Sequence, residues 1–314
     1  MQNYIPKPVG NTNLPKKIKS IADAAIRSLR SNSKQTQIRI KSNLIKYIIK
    51  NHQLIPEKQA QVSINERGLL FGDGIFETCK IFNGKIYDFK SHEARIKEGL
   101  KLLKFSAKIS DLESDAKKLI KKNELKNGIL KISISRGIGS LGYLPTYESE
   151  ALIIIQTSEE RKLPTKITLG ISSIKVPSNY FAKSMNALPY LLTKIEAKEN
   201  NFFDCVMLNE KKFISETSSA NIFWVKNGRI FTPSKSCQML RGTIRKKLLK
   251  ISPIKILEKS SRISALKNAD EIFLTNSSFL LLSVDEFMGR KLENNFGKNL
   301  QKLLMEDVKK SCQS

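Results

Sequence analysis

Two Asn-Gly dipeptides, Asn83-Gly84 and Asn227-Gly228, each interrupt a run of β-branched and aromatic residues, 80–87 and 223–231. The two central residues of such a tight turn need positive φ, which Asn and Gly adopt at little cost, so each run reads as a β-hairpin. Apolar, β-rich runs at 129–134, 151–156, 167–176 and 205–208 add strands. Helices interleave with them. Ser91 reads as the N-cap of one that carries Ala94, Leu100 and Leu103 inward. Another follows Pro189, with Leu188, Leu191, Leu192 and Ile195 on one face and Lys194, Lys198 and Glu199 on the other. Pro177, Ser178 and Asn179 break the pattern and predict a hinge between Val176 and Tyr180. The expected architecture is α+β with two domains, 44–176 and 181–300, flanked by a basic extension (1–43) and a C-terminal tail (301–314).

Composition narrows the function classes. Hydrophobic residues make up 40% of the 314 and charged ones 27%, the balance of a chain that buries a core. The longest apolar runs, 151–155 and 279–282, are far short of a membrane span, and no apolar secretory segment is evident near the start. The expectation is a cytoplasmic protein without a membrane partner. Cys79, Cys205, Cys237 and Cys312 are widely spaced, and His52 and His92 are the only histidines, so neither a disulfide framework nor a metal site is expected. The formal net charge of +26 invites a nucleic-acid reading, but the cations are spread along the chain without a recognisable motif, so no specific nucleic-acid partner is expected. Residues 1–43 hold nine Lys or Arg against Asp23 alone, as a weakly ordered extension would, or an amphipathic targeting peptide.

The chemistry lies in a handful of positions. His92 and Arg95 project from one side of a helix, where a guanidinium can hold a phosphate through paired hydrogen bonds or simply face solvent. Gly242-Thr243-Ile244 opens a helical run and offers free backbone N–H groups to an anion, or is only a turn. Ser277 and Ser278 supply hydroxyls at the end of a buried strand. Glu216, leading into Ser218, Ser219 and Asn221, is a carboxylate able to face a ring nitrogen or to sit satisfied at a sheet edge. Lys183, in Phe-Ala-Lys-Ser-Met-Asn, is the lysine between the two halves. To act as nucleophile or base near neutral pH it must be desolvated or set near another cation.

Taken in order, Arg67-Gly…Gly72-Asp-Gly…Phe76-Glu-Thr78, His92-x-x-Arg95, Ser135-Arg-Gly…Gly142-Tyr, Lys183…Asn186, Glu216-x-x-Ser-Ala-Asn-Ile-Phe223, Leu240-x-Gly-x-x-Arg245 and Thr275-Asn-Ser277 resemble the class IV aminotransferases, pyridoxal-phosphate (PLP) enzymes of fold type IV. The resemblance spans about residues 46–290. It implies a D-amino acid aminotransferase-like fold, a homodimer and a cofactor in the interdomain cleft. It further implies that Lys183 forms the Schiff base, Glu216 pairs with the pyridine nitrogen and Arg95 holds the phosphate. Gly242, Thr243, Ile244 and Ser277 would complete the phosphate cup, and Ser219 would belong to the same cofactor site.

Within that family, Thr78 after Phe76-Glu77, the strand Phe273-Leu-Thr-Asn-Ser277 and the run Ser219-Ala-Asn-Ile-Phe-Trp224 resemble 4-amino-4-deoxychorismate lyase more than the transaminases. The lyase resemblance implies elimination of pyruvate and release of 4-aminobenzoate for folate synthesis, with Lys183 as the base and Thr78 as a second catalytic group. One departure stands out: Leu141 occupies a position where a carboxylate-binding arginine is common, with Lys80 and Arg136 as candidate substitutes. An aminotransferase acting on branched-chain or other amino acids is the alternative, and a basic nucleic-acid-binding protein on an inactive scaffold a more distant one.

Overall fold

The computed structural model describes residues 46–145, 149–177 and 182–313. The extension 1–43 and positions 178–180 of the expected hinge lie outside them.

Strands β1 (Tyr47–Lys50), β2 (Gln53–Pro56), β3 (Gly74–Phe82), β4 (Lys85–Ile86), β5 (Gly128–Ser135) and β6 (Leu152–Ser158) form an antiparallel sheet in the order β2-β1-β6-β5-β3-β4. The first hairpin turns at Asn83 and Gly84, with φ of 49° and 74°. Three helices accompany this sheet: α1 (Arg67–Phe71), α2 (Phe89–Leu103) and α3 (Leu112–Lys122). Side chains alternate across the pleat, so Ile75, Cys79 and Ile81 join Leu130, Ile132 and Ile134 in a core closed by Ile96, Leu100, Leu112 and Leu119 of α2 and α3. The residues between them, Phe76, Thr78 and Lys80, face the other way, opposite Ser133, Lys131 and Ile129 of β5. That second face, through Phe76, lies under Lys183.

Helix α2 begins two residues before Ser91. Asp88, at φ 50°, turns the chain from β4 straight into the helix, so Ser91 lies inside it and not at its cap. Its buried stripe is therefore Phe89, His92, Ile96 and Leu100, and Ala94 is exposed.

The second sheet has ten strands: β7 (Thr168–Lys175), β8 (Asp204–Leu208), β9 (Ile214–Thr217), β10 (Asn221–Lys226), β11 (Arg229–Pro233), β12 (Ile256–Lys259), β13 (Glu271–Asn276), β14 (Leu280–Ser283), β15 (Glu286–Phe287) and β16 (Arg290–Lys291). Their order is β12-β11-β10-β9-β8-β7-β15-β16, with β13 paired to β10 and β14 to β13. The second hairpin, β10 to β11, turns at Asn227 and Gly228 with φ of 49° and 69°. Strand β7 lies within the stretch 44–176 but pairs with β8 and β15, so in hydrogen bonding it belongs to the second sheet.

Four helices pack with these strands: α4 (Leu188–Glu199), α5 (Thr243–Ile251), α6 (Ser264–Lys267) and α7 (Asn295–Gln313). Phe223, Val225 and Phe273 meet α5 and α7 on one face, while Ile222, Trp224, Ile272 and Leu274 build a second core on the other. Residues 301–313, expected as a tail, continue α7. Their spacing puts Leu304, Val308 and Cys312 in line with Leu300, all buried in the core.

Helix α4 leaves its apolar face as well as Lys194, Lys198 and Glu199 exposed, contrary to the expectation that the leucines point inward. Thr193 and Ala197 are its buried residues, whereas Leu188, Leu191, Leu192 and Ile195 are 58%, 60%, 43% and 52% exposed. Small residues let the helix lie close on β7 and β8, and the apolar stripe points outward. Among the described residues no helix is long and apolar enough to cross a membrane.

Candidate active site

Lys183 sits on the connection from β7 to α4 and is tied to the start of β3. The Phe76 N–H donates to the Lys183 carbonyl at 2.8 Å, and the Met185 N–H to the Gly74 carbonyl at 2.9 Å. Its ammonium lies 4.3 Å from the centroid of the Phe76 ring. Loss of hydration, then the nearby Arg95 charge, bring its pKa from 10.5 down to about 8, against the opposing pull of Glu77 and Glu216. About a tenth of the amine is thus neutral at pH 7, far more than for a lysine in water.

Glu216 is buried on β9 at 4% exposure. The Tyr190 hydroxyl of α4 donates to its Oε1 at 3.0 Å, and the Leu240 N–H to its Oε2 at 3.0 Å. Burial lifts its pKa from 4.5 to about 7, limited by those two donors and by the Lys183 and Arg95 charges. Asn221, directly opposite Glu216 in the sheet, donates to Glu216 Oε2 at 3.4 Å and to the Leu240 carbonyl at 2.7 Å, joining the carboxylate to the turn that opens α5.

A polar corner forms at that turn. Gly242 precedes α5 in an extended conformation, and no side chain caps the helix, so its first amides keep their hydrogen-bonding capacity. A β-carbon at Gly242 would lie 2.1 Å from Asn221 Oδ1, so only glycine fits. The hydroxyls of Thr243 and Ser277 are 3.1 Å apart. Arg95 arrives from α2, its Nη1 donating to the Arg241 carbonyl at 3.2 Å, immediately beside Gly242. The other edge of the guanidinium is held from behind by Glu77 of β3, which accepts Nε at 2.7 Å and Nη2 at 2.6 Å, while His92 Nδ1 lies 2.7 Å from the same carboxylate.

Thr78 is half-buried on the face of β3 that also carries Phe76 and Lys80. Two residues before it, Phe76 underlies Lys183; two residues after it, Lys80 donates to the Ser278 carbonyl at 3.2 Å and pairs with Glu160 at 2.5 Å. Directly opposite Thr78 is Lys131 of β5, exposed, with its ammonium 5.6 Å from the Phe76 ring centroid.

Arg136 is committed elsewhere. It forms a two-pronged pair with Asp73 at 2.7 and 3.1 Å and donates to the Leu103 and Lys104 carbonyls. Asp73 also binds Arg67, whose remaining nitrogens hold the carbonyls of Ser140, Gly142 and Tyr143. That grip presents Leu141 and Tyr143 outward, 74% and 89% exposed. The Ser219 hydroxyl is turned onto buried Asp204 at 2.9 Å, while its carbonyl accepts from Asn276, next to Ser277.

Sequence reasoning missed Glu77, Tyr190 and Lys131. Glu77 lies inside the Phe76-Glu-Thr78 run with no role of its own; Tyr190 lies in a helix whose apolar and charged residues drew the reading. The one charged residue in β5 was the legible signal for Lys131.

The set suits a ligand with three distinct parts. A guanidinium edge, uncapped helix amides and two hydroxyls match a phosphate dianion; a buried carboxylate with a near-neutral pKa matches a basic ring nitrogen; and a partly neutral lysine matches an aldehyde. Among known proteins, the amino-transferase class IV profile matches residues 74–287. A putative branched-chain-amino-acid aminotransferase of Methanocaldococcus jannaschii is 28% identical over 270 residues, covering 82% of this chain and 94% of that protein. The crystal structure of the Escherichia coli branched-chain amino acid aminotransferase superposes with a TM-score of 0.79 at 23% identity, covering 84% and 95% of the two chains, a likeness of fold. A putative 4-amino-4-deoxychorismate lyase of Legionella pneumophila gives 0.74 at 25% identity, covering 80% and 97%. The chain therefore belongs to the class IV aminotransferase family and is an enzyme whose cofactor is pyridoxal phosphate.

Proposed function

We propose that this enzyme is a 4-amino-4-deoxychorismate lyase, releasing 4-aminobenzoate and pyruvate for folate synthesis. The observation that carries the reading is Thr78, a half-buried hydroxyl flanked along its strand by the residue under Lys183 and by the lysine that binds the Ser278 carbonyl, and faced across the sheet by Lys131. A proton donor beside the catalytic amine, with a cation opposite, suits a substrate that carries two carboxylates and loses an enol.

In this reading Arg95, the Gly242 to Ile244 backbone with Thr243, and Ser277 bind the cofactor phosphate. Ser219 supports that corner through Asn276, and Glu216 accepts the ring nitrogen's hydrogen. Lys183 is the amine that would hold the cofactor's aldehyde, its pKa brought down to about 8 by burial and the Arg95 charge. When bound, pyridoxal phosphate supplies a sink for the electron pair left on the amine-bearing carbon. Lys183 removes the proton from that carbon. The adjacent carbon–oxygen bond breaks, Thr78 passes a proton to the departing enolpyruvate, which becomes pyruvate, and the six-membered ring is left aromatic. Atoms and electrons balance without an oxidant. Lys131 binds a substrate carboxylate, the part that Leu141 cannot play and that Arg136, engaged by Asp73, does not take up.

The proposal extends to a cytoplasmic homodimer. What supports the dimer is the outward apolar stripe of α4 together with exposed Leu69, Ile138, Leu141 and Leu144, side chains that a second copy would cover. Transamination of branched-chain or other amino acids is the second reading, favoured by the Methanocaldococcus jannaschii relative. There Lys183 moves the proton between the amino acid's α-carbon and the cofactor. Thr78→Val separates the two: as a lyase the variant loses 4-aminobenzoate formation while residual amino-group transfer survives, and equal loss of both activities would refute the special role of Thr78.

A further inference from the structure

Arg95 alone of the proposed phosphate ligands reaches the site from a helix packed on the first sheet, on a long side chain with several rotatable bonds. Something must fix where its guanidinium points. Glu77 is 2% exposed and makes three short contacts, two with Arg95 and one with His92, itself 1% exposed. The contacts to Arg95 occupy Nε and Nη2, one whole edge of the planar group. The Nη1 edge is left at the Gly242 turn, where it meets the Arg241 carbonyl. His92 and Arg95 are three apart on α2, and Glu77 rises from the β3 face on which α2 lies, so strand, helix and histidine converge on one carboxylate. Its pairing is strong enough to hold Glu77 at about 2 despite burial, so the carboxylate stays ionised across the working pH range.

We propose that Glu77, steadied by His92, is a positioning residue that aims Arg95 at the cofactor phosphate and thereby gives the apo-protein its preference for phosphorylated over unphosphorylated ligand. The inference rests on the reading of Arg95 as a phosphate ligand. Charge alone argues the opposite sign. Glu77 is an anion behind a phosphate site, so deleting its charge should tighten phosphate binding if only the net potential mattered. Orientation argues for weaker binding, since an amide in place of the carboxylate would turn an N–H against the donors of Arg95 or His92 and push the guanidinium out of line. Three short hydrogen bonds to an ionised carboxylate are lost or inverted, and that local effect dominates the more diffuse potential.

The test is calorimetric titration of the full-length apo-protein with pyridoxal phosphate and with pyridoxal, which lacks the phosphate. For Glu77→Gln the expected result is at least a tenfold weaker Kd for pyridoxal phosphate, with pyridoxal within about twofold of wild type. Unchanged or tighter phosphate-ligand binding, or equal loss of both ligands, overturns the proposal. Should Glu77→Gln fail to fold, His92→Asn leaves the Glu77–Arg95 pair in place and is expected to lower the ratio of the two affinities about threefold; no change in that ratio overturns the proposal as well. Arg95→Gln distinguishes the underlying reading: if it leaves the ratio intact, Arg95 is not the phosphate ligand, whereas its loss there with an intact ratio in Glu77→Gln sinks the positioning role alone.

Discussion

Replacing Lys183 by methionine should make the apo-protein more stable at neutral pH, although it destroys the catalytic group. The folded-state pKa of about 8 lies some 2.5 units below the ordinary 10.5, equivalent to about 3 kcal/mol of destabilisation by the ammonium at pH 7. The attractions to Glu77 and Glu216 are already contained in that shift. Methionine forfeits the cation's contact with the Phe76 ring, worth about 0.5–1 kcal/mol, but keeps most of the apolar stem, so a net gain of about 1–3 kcal/mol is expected. The sign follows from linkage. A lysine whose folded pKa is depressed costs stability in full below about pH 8, progressively less as pH rises towards 10.5, and nothing once it is neutral in both states. Urea unfolding of the apo wild type and Lys183→Met at pH 7 and pH 10 therefore measures one difference at two pH values. The variant should lead at pH 7, with its margin mostly gone at pH 10; a variant less stable at pH 7, or a margin independent of pH, would refute the reasoning.

Tyr190→Phe removes a hydroxyl that donates to ionised Glu216, so the Glu216 pKa should rise above about 7 by roughly 0.5–1 unit; carbon-detected NMR of labelled apo-protein reads the midpoint, and an unchanged or lower one contradicts the assignment. Gly242→Ala forces Asn221 off its contact with the Leu240 carbonyl and loosens the Leu240 N–H on Glu216, so pyridoxal phosphate should bind at least tenfold more weakly and urea stability fall by about 1–3 kcal/mol. Wild-type affinity would show that the turn adapts. Lys131→Met should raise KM for a dicarboxylate substrate about tenfold and change kcat less than threefold in steady-state kinetics; an unchanged KM would remove Lys131 from the site.

What could be read from the chain was whatever depends on neighbours in sequence. The Asn-Gly turns act through their own φ values, and the strand runs through the alternation of β5 and β6, so both hairpins and most strand positions were legible. The ordered motifs singled out Lys183, Glu216, Arg95, Thr243 and Ser277, although nothing local says that Arg95 should reach the Gly242 turn from α2. The failures share a cause. The sidedness of α4 depends on what it packs against: Thr193 and Ala197 take the inner face, where Thr193 and Glu196 meet Ser172 of β7. Arg136 looked like a substitute for the missing cation until the fold set Asp73 beside it. Glu77 is one more letter in an alternating strand until α2 lays Arg95 and His92 on it.

The most direct measurement is to incubate the cofactor-loaded enzyme with 4-amino-4-deoxychorismate and follow 4-aminobenzoate and pyruvate together, with Lys183→Ala as control. The lyase reading predicts the two products in equal amounts from the wild type and none from the variant. A loaded wild type that forms neither product, yet transfers the amino group of a branched-chain or other amino acid to a 2-oxo acid, would contradict it.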